Sequence, residues 1–349
     1  MASLHDDRYS YAEINFCFAK KYYMTNSKSI TVKANANFAL LKYWGKLERE
    51  SNIPEMPSIS ITISSLTSSV EIKHSDLESL YYLNNKIVDR STKDKWLKVI
   101  SQFSDQSSDH EKIIINASND FQTSSGLASS ASGIAALTGA LAHYFDSKHN
   151  LEDLSRVARM GSASAARSIY GGFVELVIQS SGKRLDGYAK QIVNQDYWPL
   201  TVLVCITSYK KKKISSTDGM SLSRESSVIY DDWVRFSNAI IDEGREAIIR
   251  KDFIKLADLA ELSCLFMHAV MMTTMPSLVY WNKKTIECIE CIRELRGMGV
   301  PVFFTVDAGP HVKVICEPVY TDIVMGALSS IIAEDSILVG TIGRGIVSD

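Results

Sequence analysis

The sequence predicts an α+β protein of two lobes, in which strands dominate the first part of the chain and helices the second. Strict alternation over residues 58–66 places Ile59, Ile61 and Ile63 on one face of a strand. Apolar residues spaced at helical intervals from Leu127 onward predict a buried helix that opens from a loop rich in serine and glycine. With 349 residues, the chain is long enough for two lobes and a large core.

The first part of the chain is predicted to form an extension and one lobe. Residues 1–30 have little periodic pattern, and residues 31–200 form the first lobe, with Asn150 capping one helix and Gly161 ending it. Its strands are predicted at residues 31–41, 58–66, 69–74, 80–88, 112–117 and 173–178, and its helices at 93–103, from Leu127, at 151–160 and around 162–167.

Residues 201–349 are predicted to form the second lobe, where long helices alternate with short strands. The strands are predicted at residues 198–208, 300–306 and 312–316, and the helices at 230–250, 252–268 and 277–296. This mixture of elements is typical of an α+β fold.

Composition argues against several classes of function. A net charge of −2 argues against a nucleic-acid binder, no apolar run is long enough to span a membrane, and residues 1–10 lack the apolar core of a secretory signal. Cys288 and Cys291 have the spacing of a metal or redox pair, but they lie in a helical pattern without a second pair. We interpret the cysteines as packing or surface thiols of a cytoplasmic protein.

The loop that precedes the buried helix is the first candidate site. Free backbone N–H groups and the positive end of the helix dipole can bind a phosphate there, and small residues allow its close approach. An ordinary serine-rich helix cap would have the same composition. The candidate phosphate-binding residues are Ser124, Ser125, Gly126, Leu127, Ala128, Ser129 and Ser130.

Two further motifs carry cations. Residues 42–46 place two lysines and two aromatic rings around a glycine, which suits an anion clamp and equally a solvated basic turn. In the second motif, the hydroxyls of Ser162 and Ser164 precede Arg167, whose planar guanidinium can bind a carboxylate or phosphate through two parallel hydrogen bonds. A helix cap beside a surface arginine would give the same pattern.

Asp307 is the fourth candidate. It follows a strand in which Val302, Phe304 and Val306 share one face, so its carboxylate belongs to the other face at the strand end. The tight turn that follows can aim this carboxylate into a cleft, although aspartate is also common at the start of a turn.

Taken together and in this order, the four motifs resemble those of the mevalonate diphosphate decarboxylase family, within the galactokinase–homoserine kinase–mevalonate kinase–phosphomevalonate kinase superfamily. The matching segments are the serine–glycine loop and residues 36–46, 161–175 and 304–310, and the resemblance extends from about Thr31 to Gly345. It implies a deep cleft between an N-terminal lobe like the second domain of a small-subunit ribosomal protein and a ferredoxin-like C-terminal lobe.

The resemblance also implies a reaction, the ATP-dependent decarboxylation of mevalonate 5-diphosphate to isopentenyl diphosphate in the mevalonate pathway. ADP, phosphate and CO₂ are the other products, Mg²⁺ accompanies ATP, and the enzyme is a homodimer. The catalytic residues implied are Asp307, Arg167 and Lys46. The residues implied for substrate binding are Tyr43, Lys46, Ser162, Ser164 and Arg167, and those for ATP binding are the loop residues 124–130.

Four places depart from the family pattern, and one of them is residues 119–123, which read Asn-Asp-Phe-Gln-Thr where the family has Asn-Asn-Phe-Pro-Thr. Met56 replaces an amide, and His311 replaces an asparagine. Ser221 stands where arginine is common, and the nearest arginine is Arg224. We therefore retain mevalonate 5-phosphate as an alternative substrate, a small-molecule kinase as an alternative enzyme and a catalytically silent binding protein as an alternative class. The sequence leaves open which of the lysines 210–213 contacts ATP and which residues bind Mg²⁺.

Overall fold

The long strand β4 (Ser58–His74) organises the first sheet of the protein, which we describe from a computed structural model. The structure describes residues 29–48, 50–103, 112–121, 127, 129–181, 184–210 and 213–348. Several predicted features lie outside these residues: nearly all of the extension 1–30, the loop residues Ser124, Ser125, Gly126 and Ala128, and the lysines Lys211 and Lys212.

The first sheet contains eight of the described strands in the order β14-β1-β4-β7-β5-β6, with β8 paired to β4 and β9 paired to β8. All of its pairings are antiparallel except β5 with β7. The remaining strands of this sheet are β1 (Ser29–Leu41), β5 (Leu80–Leu83), β6 (Lys86–Ile87), β7 (Ile113–Asn119), β8 (Phe173–Ser181), β9 (Arg184–Val193) and β14 (Val347–Ser348). A separate pair is formed by β2 (Lys46–Glu48) and β3 (Ile53–Pro54).

Two predicted strands, 58–66 and 69–74, form the single strand β4. Its first residues pair with β8 and its last with β7, while β1 follows it along most of its length. Two irregularities in the β1–β4 register, after Asn35 and after Ala39, allow this long ribbon to bend. The predicted strand 80–88 is instead a hairpin, because Asn84 and Asn85 adopt the positive φ angles of 50° and 62° that a tight turn requires.

The second sheet is antiparallel in the order β11-β12-β10-β13. Its strands are β10 (Thr201–Cys205), β11 (Val302–Val306), β12 (Val312–Cys316) and β13 (Ile337–Thr341). Strands β11 and β12 form a hairpin, so the residues just after β11 are held in place by both strands. The predicted division of the chain at residue 200 stays a prediction, and β14 returns to pair with β1.

Ten α-helices are found among the described residues. They are α1 (Arg90–Ile100), α2 (Ser129–Tyr144), α3 (Leu151–Gly161), α4 (Ala165–Ser168), α5 (Ser216–Ser226), α6 (Tyr230–Ala239), α7 (Ile241–Arg250), α8 (Phe253–Met272), α9 (Lys283–Gly297) and α10 (Thr321–Ser329), with short 3₁₀ turns at Pro318–Tyr320 and Glu334–Ser336. The predicted cap of α3 is confirmed, since the Asn150 side chain accepts a hydrogen bond from the backbone of Asp153. The predicted helix 230–250 is divided at Ile240 into α6 and α7.

One apolar cluster joins the two sheets. It contains Phe38 and Ile61 from the first sheet, Val202 and Phe303 from the second, and Leu256 from α8, all fully or almost fully buried. Because α8 packs against both β1 and β11, the end of β1 and the end of β11 come together. Within the described residues, no helix is both long enough and apolar enough to cross a membrane.

Candidate active site

Asp307 lies where the two sheets meet, directly after β11. The Nζ atom of Lys42, at the end of β1, lies 2.6 Å from its Oδ1 atom, and the Nζ atom of Lys313, in β12, lies 3.1 Å from its Oδ2 atom. Both lysine side chains are 1% exposed, whereas the Asp307 side chain is 26% exposed. We call these three residues the aspartate–lysine cluster. It presents a carboxylate to solvent and keeps two ammonium groups behind it.

The charges of the cluster depend on one another. Burial by itself raises the pKa of the Asp307 carboxyl, but Lys313 and Lys42 outweigh burial and hold this pKa well below its usual range. Burial lowers the pKa of Lys313, and the Asp307 carboxylate opposes that effect. Asp307 is therefore ionised at neutral pH and can accept a hydrogen bond from a ligand.

Arg167 is a buried residue, held by the strands of the first sheet. Its Nε donates to Ser60 Oγ at 2.9 Å, its Nη1 to Ser58 Oγ at 2.7 Å and its Nη2 to Asn37 Oδ1 at 3.2 Å. Asn37 in turn donates to the carbonyl oxygen of Ser164 at 2.9 Å. This network fixes the guanidinium, so the alternative of a surface arginine is wrong.

Tyr43 connects Arg167 with the aspartate–lysine cluster. The Arg167 guanidinium lies 5.5 Å from the centre of the Tyr43 ring. Burial raises the pKa of the Tyr43 hydroxyl, Arg167 lowers it and Asp307 raises it. The hydroxyls of Ser162 and Ser164 lie 3.2 Å apart at the start of α4. The structure thus brings five predicted residues, Tyr43, Ser162, Ser164, Arg167 and Asp307, into one neighbourhood.

Lys46 occupies a neighbouring position, on the short strand β2. Its Nζ donates to Asn52 Oδ1 at 2.7 Å and contacts Thr217 Oγ1 of α5 at 3.4 Å. Asn52 adopts a positive φ of 56° and donates to the carbonyl oxygen of Met160 at 2.7 Å. Lys46 therefore lies beside polar groups of the Asn52 turn and of α5.

The segment between Lys42 and Lys46 is held by aromatic packing. The indole of Trp44 donates to Ser223 Oγ at 2.8 Å, and the indole of Trp233 donates to the carbonyl oxygen of Trp44 at 3.2 Å. Gly45 has a φ of 146°, and a Cβ at this position would lie 1.8 Å from the Tyr230 hydroxyl. Only glycine fits there, so the backbone between Lys42 and Lys46 can pass close to the Tyr230 hydroxyl.

Two of the departures from the family pattern are accounted for here. Met56 is fully buried, and its sulfur accepts a hydrogen bond from the Trp44 backbone at 3.4 Å, so this residue supports the turn. Ser221 donates to the carbonyl oxygen of Thr217 within α5. One turn further along the same helix, Arg224 donates to the carbonyl oxygen of Lys46 at 2.9 Å and pairs with Glu55 at 3.4 Å.

The third departure, His311, lies in the turn between β11 and β12. Its Nδ1 accepts a hydrogen bond from the Thr207 backbone at 3.2 Å, and among the described residues its buried Nε2 has no hydrogen-bond partner. His268, on α8, lies behind Asp307 with its Nε2 3.2 Å from both the Val306 carbonyl oxygen and the Trp281 indole nitrogen. Burial lowers the pKa of both imidazoles to about 3, so both rings are neutral.

The predicted phosphate loop is described only in part. Leu127 is fully buried in the cluster that joins the sheets, and Ser129 and Ser130 form the first residues of α2, with Ser130 exposed. Ser132 is fully buried, and its hydroxyl lies 2.7 Å from that of Ser68 on β4. These contacts anchor the start of α2 against the first sheet and leave its first hydroxyls accessible to a ligand.

We predict that Ser130→Ala lowers turnover more than it lowers stability. The side chain is exposed, so its loss removes little packing, but its hydroxyl lies where the N–H groups of a helix start can bind phosphate. Steady-state rates at saturating ATP and thermal unfolding together measure the two effects. Ser101→Ala, at the exposed end of α1, is the matched control, and unchanged turnover in Ser130→Ala would remove this residue from the site.

The described cysteines form part of the core. Cys205 and Cys288 are fully buried in the apolar cluster of the second sheet, and Cys291 packs against it. In the described ranges no three histidine, cysteine, aspartate or glutamate side chains are grouped as metal ligands.

Sequence reasoning missed the close partners of the predicted residues. Lys313, Asn37, Ser58 and Ser60 were not among the candidates, and Lys42 was recognised only within the 42–46 motif. The signal for Lys313 was available, because it is a lysine flanked by Val312 and Val314 in a predicted strand.

The site combines an ionised carboxylate held by two buried lysines with a fixed arginine, and the same α+β fold contains an accessible helix start. This combination is typical of an enzyme that acts on small anionic substrates. Comparisons specify which one. The profile of the diphosphomevalonate decarboxylase-like N-terminal domain matches residues 34–188, and that of the mevalonate 5-diphosphate decarboxylase C-terminal domain matches residues 202–341. The chain belongs to the diphosphomevalonate decarboxylase family and is an enzyme with that activity.

Individual relatives agree with this assignment. The chain is 31% identical over 319 residues to the diphosphomevalonate decarboxylase of Candida albicans, covering 86% of this chain and 87% of that protein. It superposes on the mevalonate diphosphate decarboxylase of Staphylococcus aureus with a TM-score of 0.85 at 31% identity, covering 93% of this chain and 98% of that one. A structure of MDDEF in complex with MVAPP, AMPPCP and magnesium gives a TM-score of 0.84 at 30% identity, with coverages of 93% and 99%.

Proposed function

We propose that this site uses ATP to phosphorylate the 3-hydroxyl of mevalonate 5-diphosphate and then releases phosphate and CO₂ to give isopentenyl diphosphate. The observation that carries the proposal is the aspartate–lysine cluster, in which a partly exposed carboxylate is ionised beside a fixed guanidinium. The complex of a relative with MVAPP, AMPPCP and magnesium supports the same substrates for this chain.

Asp307 orients the tertiary 3-hydroxyl and accepts its proton as the bond to phosphorus forms. Each carboxylate oxygen has two lone pairs, so the contacts with Lys42 and Lys313 leave acceptor capacity on both oxygens. The partly exposed side of the carboxylate is where a substrate hydroxyl can reach it. Proton transfer to a positioned base of this kind contributes about 10²–10⁴-fold to rate.

Arg167 positions the C1 carboxylate of the substrate. Three of its nitrogens donate to Ser58, Ser60 and Asn37, but a guanidinium has five N–H groups, so donors remain for a ligand. When the 3-phosphate leaves, positive character develops at C3, and the electrons of the C1–C2 bond form the new double bond as CO₂ departs. A guanidinium fixed in advance holds the carboxylate in line for this step without reorganisation.

Lys46, Tyr43, Ser162 and Ser164 bind the diphosphate. Lys46 follows Lys42, the partner of Asp307, by four residues, and its ammonium group contacts Asn52, which suits a substrate that extends from its reacting carbon to a distant anion. Binding energy from this remote group can be used to orient the reacting centre. Arg224, which pairs with Glu55, lies beside Lys46, one turn after position 221, where the family pattern has arginine.

ATP binds with its phosphates at the start of α2. The hydroxyls of Ser129 and Ser130 and the first N–H groups of the helix are the described donors, and the predicted loop residues Ser124, Ser125, Gly126 and Ala128 complete the set. Hydroxyl oxygens would be suitable ligands for a Mg²⁺ ion that is bound mainly by the ATP phosphates. When bound, Mg²⁺ would neutralise negative charge on the phosphates during phosphoryl transfer.

We propose further that the two sheets mark two lobes, 31–200 and 201–349, with a deep cleft between them, and that the enzyme is a cytoplasmic homodimer. The resemblance supports the lobes, their ribosomal-protein-like and ferredoxin-like folds, and the dimer. The free buried thiols of Cys205 and Cys264 suit a reducing compartment. Light scattering in solution tests the dimer.

One assay tests the reaction. The protein is incubated with ATP, Mg²⁺ and mevalonate 5-diphosphate, and ADP and CO₂ are both measured. Equal amounts of ADP and CO₂ are expected. ADP without CO₂ would indicate a kinase, and the absence of both would indicate a silent binding protein.

We predict that kcat/KM is higher for mevalonate 5-diphosphate than for mevalonate 5-phosphate. Met56 is buried and supports the Trp44 turn. The replacement of an amide by Met56 therefore leaves Lys46 in place for a second phosphate. The two substrates are compared under one set of conditions. A preference for the monophosphate would overturn the substrate assignment while leaving the reaction type intact.

A further inference from the structure

Lys313 lies in a position where the strand pattern requires an apolar residue. Strand β12 is buried along its whole length. Val312, Val314 and Cys316 face the cluster of the second sheet, while Ile315 belongs to the opposite cluster, which joins the two sheets. Alternation places Lys313 on the same face as Ile315, so its ammonium group enters an apolar interface between the sheets.

Three contacts receive this ammonium group. Its Nζ lies 3.1 Å from Asp307 Oδ2, donates to the carbonyl oxygen of His311 at 3.3 Å and lies 4.7 Å from the centre of the Phe38 ring. A buried cation is costly unless it is paired and hydrogen-bonded. The contacts explain how the protein tolerates Lys313 but do not explain why it is there.

The charge balance points to a role beyond structure. Asp307 already pairs with Lys42 at 2.6 Å, and one cation is enough to neutralise one carboxylate. The second lysine gives the aspartate–lysine cluster an excess positive charge, beside the positive charge of Arg167. An excess of buried positive charge is unfavourable in the free protein and favourable when an anionic substrate is bound.

We propose that Lys313 is a positioning residue for the reaction: it grips the inner Oδ2 atom of Asp307, keeps the carboxylate ionised and turns its outer lone pairs toward the substrate hydroxyl. This role rests on the proposed function of Asp307. Lys42 fixes Oδ1 from β1, and Lys313 fixes Oδ2 from β12, so the carboxylate plane is held from both sheets.

Among the titratable groups near Asp307, the two lysines are the ones that lower the pKa of its carboxyl. The other groups are Tyr43, Arg167, Cys264, His268 and His311. Both histidines have a pKa of about 3, and burial raises the pKa of the Tyr43 and Cys264 side chains. None of them gains or loses a proton in the weakly acidic range, so a change there reports on Asp307.

The test is the pH dependence of kcat/KM in Lys313→Met, a neutral side chain of similar length. Loss of one cation raises the pKa of Asp307. As the pH falls, the carboxylate of the variant is therefore protonated, and activity is lost, at a higher pH than in the wild type. We expect the pKa of Asp307 to rise by roughly 1–3 units, which moves the acid limb of the profile upward relative to the wild type. A purely structural role would lower activity at every pH and leave the limb in place.

Ile315→Val is the matched control, because it alters the same face of β12 without changing charge. ATP and substrate ionise in the same way in assays of Ile315→Val and of the wild type, so the acid limbs of the two profiles should coincide. If Lys313→Met does not fold, Lys313→Gln retains a donor without the charge and should show the same shift.

The outcomes separate the two proposals. An active wild type with an unmoved limb in the Lys313 variant would overturn the positioning role and leave the decarboxylase assignment standing. A wild type that releases neither ADP nor CO₂ would overturn the proposed function and this role with it.

Discussion

Asp307→Asn is expected to lower kcat by about 10²–10⁴-fold, the usual cost of losing a positioned base. Asparagine fills the same space and can still contact the substrate hydroxyl, but its amide cannot accept the proton as the bond to phosphorus forms. The KM for mevalonate 5-diphosphate should change far less, because the lost interaction matters mainly in the transition state. Single-turnover measurement of ADP and CO₂ separates this chemical step from product release.

The same substitution has a structural effect that the aspartate–lysine cluster makes predictable. Removing the carboxylate charge leaves Lys42 and Lys313 buried side by side without an anion, and breaking a buried ion pair costs about 3–5 kcal/mol. Lys313 can relieve part of this cost by releasing its proton, because burial lowers its pKa. The variant should therefore fold with a lower melting temperature and retain ATP binding.

Glu261→Gln provides the matched control for Asp307→Asn. Glu261 is a carboxylate of α8 that also contacts β11, accepting a hydrogen bond from the Phe304 backbone at 3.3 Å, but it pairs with Arg296 away from the site. The Glu261→Gln variant should have a lower free energy of unfolding than the wild type and the same kcat. A well-folded Asp307→Asn protein with a kcat near that of the wild type would exclude Asp307 as the base and remove the basis of the mechanism.

The sequence predicted the positions of single site motifs better than the contacts between them. Periodicity located β11 and the turn after it, and so placed Asp307 at a strand end. Its partner Lys42 lies 265 residues earlier, and pairing over that distance depends on how the two sheets dock, which no local pattern encodes. Lys313 violates the local pattern of its strand, and such violations are where functional residues are expected.

Elements whose local pattern is weak were missed or divided in the prediction. Helix α5 is rich in serine and carries few apolar residues, so its position depends on packing against the Trp44 turn rather than on an amphipathic pattern. Strand β4 was divided in the prediction because polar residues interrupt its alternation near Thr67, where neighbouring strands supply the support. In both cases tertiary contacts decide what the local sequence leaves open.

Arg167→Lys is expected to lower kcat/KM by about 10²–10³-fold, although it conserves the charge. A lysine has one nitrogen in place of the planar fork, so it cannot donate to Ser58, Ser60 and Asn37 and also hold the substrate carboxylate. Loss of one preorganised donor group at a reacting centre typically costs about this much. Steady-state kinetics with mevalonate 5-diphosphate measures the loss.

The same substitution at a second arginine, outside the site, should lower stability without lowering activity. Arg245 donates to both carboxylate oxygens of Glu175, at 2.8 and 2.9 Å, in a position outside the site. Arg245→Lys should lower stability through the loss of this planar pairing while its kcat/KM stays near that of the wild type. Arg167→Lys should lower stability too, because buried polar groups lose their partners at about 1–3 kcal/mol each, but here activity should fall further than unfolding explains. Equal kcat/KM values for the two folded variants would mean that Arg167 holds β1 and β4 together and does not position the substrate.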